Sequence, residues 1–248
     1  MTSRFVGVSL KMHLDHARTR RWLTEVAGAG LPTAELDVAV LPSFTAIPAA
    51  GEILYGSGVH YGAQNCCWEP AGPFTGEVSP AVLRELGCRY VEVGHAERRR
   101  LFGEDDTVIA RKAAAVADYG MTPIICVGEP EPVSWERAGV FCAGQLDLAL
   151  AALRGTGAEP IVAYEPVWAI GADRPAGPNH IQAVATGLRH HLDDAGFAHR
   201  ARIIYGGAAG PGLIGQLPAV DGLFLGRSAL QVDRFAATVA EAAALVRV

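Results

Sequence analysis

The stretch Ala163-Tyr164-Glu165-Pro166-Val167-Trp168-Ala169-Ile170-Gly171 carries the clearest chemistry in the chain. A short apolar run over 160–164 has the bulk of a strand in a buried parallel sheet, and it ends on the carboxylate Glu165. Stiff Pro166-Val167-Trp168 follows, then a small-residue tip around Gly171, then Pro175. That is the pattern of a flap hinged between rigid ends. A carboxylate beneath a closing flap suits proton abstraction from carbon, because the charge acts most strongly once water has left.

Other polar residues stand where apolar runs stop. Lys11 follows the first run, Gln64 and Asn65 the third, and His95 and Glu97 the fourth. Gly206-Gly207 and Gly226-Arg227 follow the last two. Glycine turns that feed helices present backbone N–H groups, which bind phosphate well. Taken singly, each residue has a plainer reading. A lysine at a strand end is ordinarily a solvated charge, and paired glycines ordinarily mark a turn. Taken together on one face, an ammonium, an imidazole, a carboxylate and phosphate-binding turns point to isomerisation of a phosphorylated carbonyl compound.

Positioning them on one face requires a particular set of elements. Strand patterns fall near 5–10, 37–41, 59–63, 89–93, 122–127, 160–164, 202–205 and 221–225. Helix patterns lie near 15–28, 44–55, 79–86, 105–119, 134–153, 178–195, 211–217 and 232–247, with Asp15, Ser43, Ser79 and Asp233 placed to cap them. Strand-then-helix alternation means parallel pairing. Eight such units in one domain over 1–248 predict an α/β fold of the (β/α)8 TIM barrel type, whose strand C-termini gather on one functional face. A doubly wound sheet would carry a glycine-rich loop after its first strand. Ser9-Leu10-Lys11 occupies that place.

Bulk composition narrows the partners. Half of the 248 residues are hydrophobic, ample for one large core, and the net charge of -5 speaks against nucleic acid. It does not exclude an anionic small substrate, since charge is screened within roughly 8 Å at physiological salt. No secretory apolar run precedes Lys11 and no stretch is long enough to span a bilayer. The five cysteines are odd in number and lack metal-binding spacing, which predicts reduced thiols in a cytoplasmic protein. The remaining histidines show no metal-ligand pattern either.

The motifs are similar to those of the triosephosphate isomerase family nearly end to end. VEVGHAERR (91–99) resembles the family's histidine segment, and AYEPVWAIG (163–171) its base and flap. GAQN (62–65), GPFTGEVSP (72–80), PIICVGE (123–129) and YGG (205–207) fall in order around them. The resemblance implies that Glu165 is the base and that neutral His95 polarises the carbonyl and shuttles protons. It implies that Lys11 stabilises the enediolate, with Glu97 ordering Lys11 and His95 from behind. Gly171, the turn at Gly207-Ala208 and the turn at Gly226-Arg227 would hold phosphate. No metal or organic cofactor is implied. Members are usually homodimers, in which a loop, here Phe74-Thr75-Gly76-Glu77, reaches the neighbour's site.

Several positions depart from the family pattern. Ser9-Leu10-Lys11-Met12 replaces Asn-Trp-Lys-Met, and Ala96 replaces a serine. Ala208-Ala209 follows Gly207 where Ser-Val is usual, Arg227 replaces a glycine, and Asp173 stands at the flap tip. Ser-x-Lys-Met, the loop over 62–77 with Trp68, and DGLFLGRSA (221–229) resemble a side branch that isomerises erythrulose phosphates. Serine at position 9 removes atoms near the reacting end, which suits a substrate larger by one hydroxymethyl group. The expectation is therefore interconversion of L-erythrulose 1-phosphate and D-erythrulose 4-phosphate. The alternatives are an ordinary triosephosphate isomerase and, more remotely, a barrel that only binds a phosphorylated ligand.

Overall fold

Short apolar runs buried on both faces are the material of a parallel sheet. The computed structural model, which describes residues 4–246, closes eight of them into a barrel in sequence order. The strands are β1 (Phe5–Ser9), β2 (Asp37–Leu41), β3 (His60–Ala63), β4 (Tyr90–Val93), β5 (Thr122–Val127), β6 (Ile161–Tyr164), β7 (Arg202–Tyr205) and β8 (Gly222–Leu225). Every neighbouring pair is parallel, and β8 closes on β1. The expected single-domain (β/α)8 barrel is the observed architecture. Among the described residues no helix is long and apolar enough to cross a membrane.

The surrounding helices are α1 (His16–Gly28), α2 (Ile47–Ile53), α3 (Pro80–Glu85), α4 (Ala96–Phe102), α5 (Asp106–Asp118), α6 (Trp135–Leu153), α7 (Pro178–Asp194) and α8 (Val232–Ala244). Asp15 and Ser79 cap as expected, accepting from Arg18 N–H and from Ala81 and Val82 N–H. Four expectations need correction. The helix near 211–217 is only a 3-10 turn, Ile214–Gln216, because Pro211, Gly212 and Gly215 deny it the length to nucleate. The pattern at 44–55 splits into a 3-10 turn and α2, with Pro48 in the first turn of the latter, and Ser43 makes no side-chain cap. Asp233 lies inside the first turn of α8, where it faces the positive helix end, while Gln231 holds the cap position. Residue 247, the predicted end of that helix, lies outside the described residues. Finally, α4 went unpredicted, since its Glu-Arg-Arg-Arg surface has no apolar stripe and none of its residues is buried.

Strand residues alternate between two cores. Tyr90, Ile124, Cys126, Ala163 and Phe224 point into the barrel, whereas Val91, Val93, Val162 and Tyr164 pack outward against the helices. By the same alternation Ser9 and Glu92 point inward near the C-terminal rim, and both are buried.

Candidate active site

The rim of the barrel opens into a cavity of about 1170 Å³, lined at one end by Ser9, Lys11, Glu92, His95 and Glu165. Lys11 lies just past β1, after Leu10, and adopts φ 48°, a left-handed conformation uncommon for a residue with a side chain. Gln64 after β3 holds that backbone in place: its Nε2 donates to the carbonyls of Lys11 at 3.1 Å and Leu41 at 2.9 Å. Lys11 Nζ donates to Glu97 Oε1 at 2.7 Å. Burial raises the Glu97 carboxyl, but the Lys11 hydrogen bond and the Lys11 charge outweigh it and hold the group ionised. Glu97 thus stands behind Lys11.

His95 occupies the N-cap of α4, where its Nδ1 accepts from the Glu97 N–H at 3.0 Å. An accepting Nδ1 places the proton of the neutral ring on Nε2. Burial, and then the Lys11 charge, lower the imidazole to about 4, so it is neutral at physiological pH. Lys11 Nζ lies 3.2 Å from His95 Nε2. In this tautomer both atoms are donors, so they do not bond each other. They converge on one point in the cavity, the geometry of an oxyanion site.

Glu165 follows β6, with its carboxylate Oε2 3.3 Å from His95 Nε2 and accepting no hydrogen bond from any described residue. Burial, and then the neighbouring Glu92 carboxyl, push its pKa well above the usual carboxylate range. A raised pKa makes the ionised form a stronger base. Its position depends on Gly206 after β7: a Cβ there would lie 2.3 Å from Glu165 Oε1. The ammonium, the imidazole and the carboxylate, far apart in the chain, therefore meet at one end of one cavity.

The other end of the cavity is lined by Gly171, the turn from Gly207 through Gly212 including Ala208, and Gly226, Arg227 and Ser228. A Cβ at Gly207 would stand 2.2 Å from Tyr205 Oη, so only glycine fits that turn. The flap over 166–176 is tied at both ends. Trp168 Nε1 donates to Glu129 at 2.8 Å, and the Ala176 N–H donates to Tyr205 Oη at 3.1 Å. Between them Gly171 has φ 71°, and its carbonyl accepts from Arg227 Nη2. Arg227 thus bridges the loop after β8 to the flap tip. The resemblance places its exposed guanidinium at the phosphate, and this contact adds a link to the flap.

Asn65 turns away from the cavity, where its Oδ1 accepts from buried Lys112 at 2.9 Å. Lys112 in turn pairs with Glu104 at 2.6 Å. Phe74, Thr75, Gly76 and Glu77 form a projecting loop, with exposed Thr75 and Gly76 at its tip and the Phe74 ring edge-on to Trp68. None of the four lines this chain's own cavity. Sequence reasoning missed Glu92, the Glu129 cluster behind the flap, and Arg234, a second guanidinium at the glycine-turn end. A charge at an inward position of the run Tyr90-Val91-Glu92-Val93 was the available signal for the first. Among the described residues no group of three or more His, Cys, Asp or Glu is arranged to hold a metal.

Comparison with known proteins agrees with this geometry. A family model described as triosephosphate isomerase matches residues 4–242. An L-erythrulose-1-phosphate isomerase of Pectobacterium atrosepticum is 46% identical over 247 residues, covering 96% of this chain and 95% of the relative. Triosephosphate isomerases of Thermus thermophilus and Syntrophotalea carbinolica are 41% and 38% identical, covering 94% and 93% of this chain and 96% and 95% of the relatives. With the match running through every strand of the barrel and through the residues at its rim, the chain belongs to the triosephosphate isomerase family and is an isomerase.

Proposed function

We propose that this isomerase interconverts L-erythrulose 1-phosphate and D-erythrulose 4-phosphate through a cis-enediolate. The observation that carries the proton transfer is the convergence on His95 Nε2 of Lys11 Nζ, at 3.2 Å, and Glu165 Oε2, at 3.3 Å. Glu165 takes the proton from C3, the carbon beside the C2 carbonyl. Charge then develops on O2, where the Lys11 ammonium and the His95 N–H stabilise it. His95 gives its Nε2 proton to one oxygen and takes the proton of the other. Glu165 returns its proton to C2, so that the carbonyl now stands at C3. Protons and electrons balance with no co-reactant. Gly171 of the flap, the turn at Gly207-Ala208 and the turn at Gly226-Arg227 hold the phosphate, and flap closure protects the enediolate from losing it by elimination.

The tetrulose substrate is supported by small Ser9 at the reacting end, by the segments over 62–77 and 221–229, and by the 46% identity to an L-erythrulose-1-phosphate isomerase. The intact trio and the 41% identity to a triosephosphate isomerase favour a second reading, the triose reaction. The purified protein is assayed with erythrulose 1-phosphate and with dihydroxyacetone phosphate. A clear kcat/KM preference for the triose ends the tetrulose reading. We place the working form as a homodimer in the cytoplasm. The loop over 74–77 is largely exposed and lines no part of its own cavity, which leaves it free to meet a second copy, and all five cysteines are free and buried, as suits a reducing compartment.

A further inference from the structure

The proton transfers need Lys11, His95 and Glu165, and they leave one buried acid without a task. Glu92 sits on β4 with its side chain inside the barrel, only 2% exposed, among the apolar and thiol side chains Tyr90, Ile124, Cys126 and Ala163. A carboxyl in such surroundings costs stability unless it is well bonded. Its Oε2 accepts from Ser9 Oγ at 2.8 Å. Among the described residues its Oε1 has only the Cys126 thiol, 3.9 Å away. Both Ser9 and Glu92 form the cavity wall beside Glu165, and Glu92 is near enough for its charge to raise Glu165.

We infer that the Glu92 carboxyl, with the Ser9 hydroxyl bonded to it, is the group that recognises the terminal hydroxymethyl of a four-carbon substrate and so sets the preference for tetrulose over triose phosphate. This inference rests on the proposed function above. Erythrulose 1-phosphate differs from dihydroxyacetone phosphate by a hydroxymethyl group on the carbon that loses its proton. That carbon must lie at Glu165, so the added hydroxyl falls on the adjoining wall. Burial, against the Ser9 hydrogen bond, moves the Glu92 carboxyl up to about 7. Near neutral pH the group therefore offers both an O–H donor and acceptor oxygens, which matches a hydroxyl. A triose has nothing to place there and leaves Glu92 Oε1 with no better partner than the thiol, the arrangement by which a polar site rejects a smaller analogue.

The test compares the wild type, Glu92→Ile and Glu92→Gln on erythrulose 1-phosphate, 4-deoxyerythrulose 1-phosphate and dihydroxyacetone phosphate. Loss of one hydrogen bond to an ionisable group predicts that Glu92→Ile lowers kcat/KM for erythrulose 1-phosphate about 10–100-fold. Any fall for the triose and for the deoxy compound, through the effect of Glu92 on Glu165, is much smaller than the fall for erythrulose 1-phosphate, and Glu92→Gln recovers most of the loss. Retained triose turnover also shows that the variant is folded. An equal fall on all three substrates makes Glu92 a support for Glu165 and overturns the inference, as does an unchanged erythrulose-to-triose ratio in a wild type that prefers erythrulose. A wild type with no preference for erythrulose 1-phosphate removes the proposed function itself.

Discussion

Gly206 is the residue whose substitution most directly tests Glu165 as the base. A Cβ at position 206 would lie 2.3 Å from Glu165 Oε1, 2.6 Å from Cγ and 2.9 Å from Cδ. Ordinary van der Waals contact begins near 3.4 Å, so in Gly206→Ala the carboxylate must retreat by about 1.1 Å. Displacement of a reacting group by about 1 Å costs on the order of 10²-fold in rate, or about 2.7 kcal/mol of barrier. The expected outcome is a kcat lower by about two orders of magnitude with KM changed by less than about 3-fold, since the carboxylate is used in the transition state and hardly in binding. Overpacking lowers stability by about 1–3 kcal/mol at the same time, so thermal melting accompanies the kinetics. Gly187→Ala serves as the control. Gly187 is exposed in the middle of α7 with nothing within 4 Å of a built Cβ. That substitution gains about 0.5–1 kcal/mol of helix stability and leaves kcat alone. Full kcat in a folded Gly206→Ala protein would mean that the position of Glu165 does not govern the rate, and the assignment of the base would fall.

The remaining predictions follow from the same contacts. Arg227→Ala removes the guanidinium that bonds the Gly171 carbonyl, so the flap opens more readily and KM rises about 2–10-fold, the worth of one ordinary hydrogen bond. Steady-state kinetics of the variant check this, and an unchanged KM denies Arg227 that role. Activity requires ionised Glu165, whose pKa is raised, so the acid limb of kcat/KM lies above the ordinary carboxylate range, whereas His95, lowered to about 4, adds no titration near neutrality. Glu92 has a stability signature of opposite sign to that of an ordinary ion-paired carboxylate. Its folded pKa of about 7 exceeds the ordinary glutamate value of 4.5, so the native state holds the extra proton between these limits and its stability falls as pH rises through them. The melting temperature of Glu92→Gln should therefore gain on the wild type from pH 5 to pH 8, and a constant difference would contradict the shift. In sedimentation the protein should run at about twice 26.1 kDa, and deletion of 74–77 should yield a monomer with much reduced kcat; an active monomer would remove the loop from the site.

Local signals sufficed for most of the framework. Strand and helix patterns are properties of neighbouring side chains, and alternation of apolar runs with capped amphipathic ones leaves few topologies other than a closed parallel barrel. Hence β1–β8 appear within a residue or so of their expected places. The failures lie where local pattern is weak: polar α4 carries no apolar stripe, and the glycine-rich segment after β7 holds too few helix formers. Residue types and their places at or just past the ends of apolar runs also picked out Lys11, His95, Glu97 and Glu165, and the family resemblance supplied their roles.

What the sequence determined, then, is the barrel and the kinds of group at its rim. Only the folded chain decided their states and partners. Burial and the Lys11 ammonium make His95 neutral, the Glu97 N–H selects its tautomer, and Gly206 gives Glu165 its place. Residues on β1 and β4 bring Ser9 onto Glu92, although 83 positions separate them. Desolvation and contact depend on distances in space, and those exist only after closure of the barrel has brought remote strand ends together.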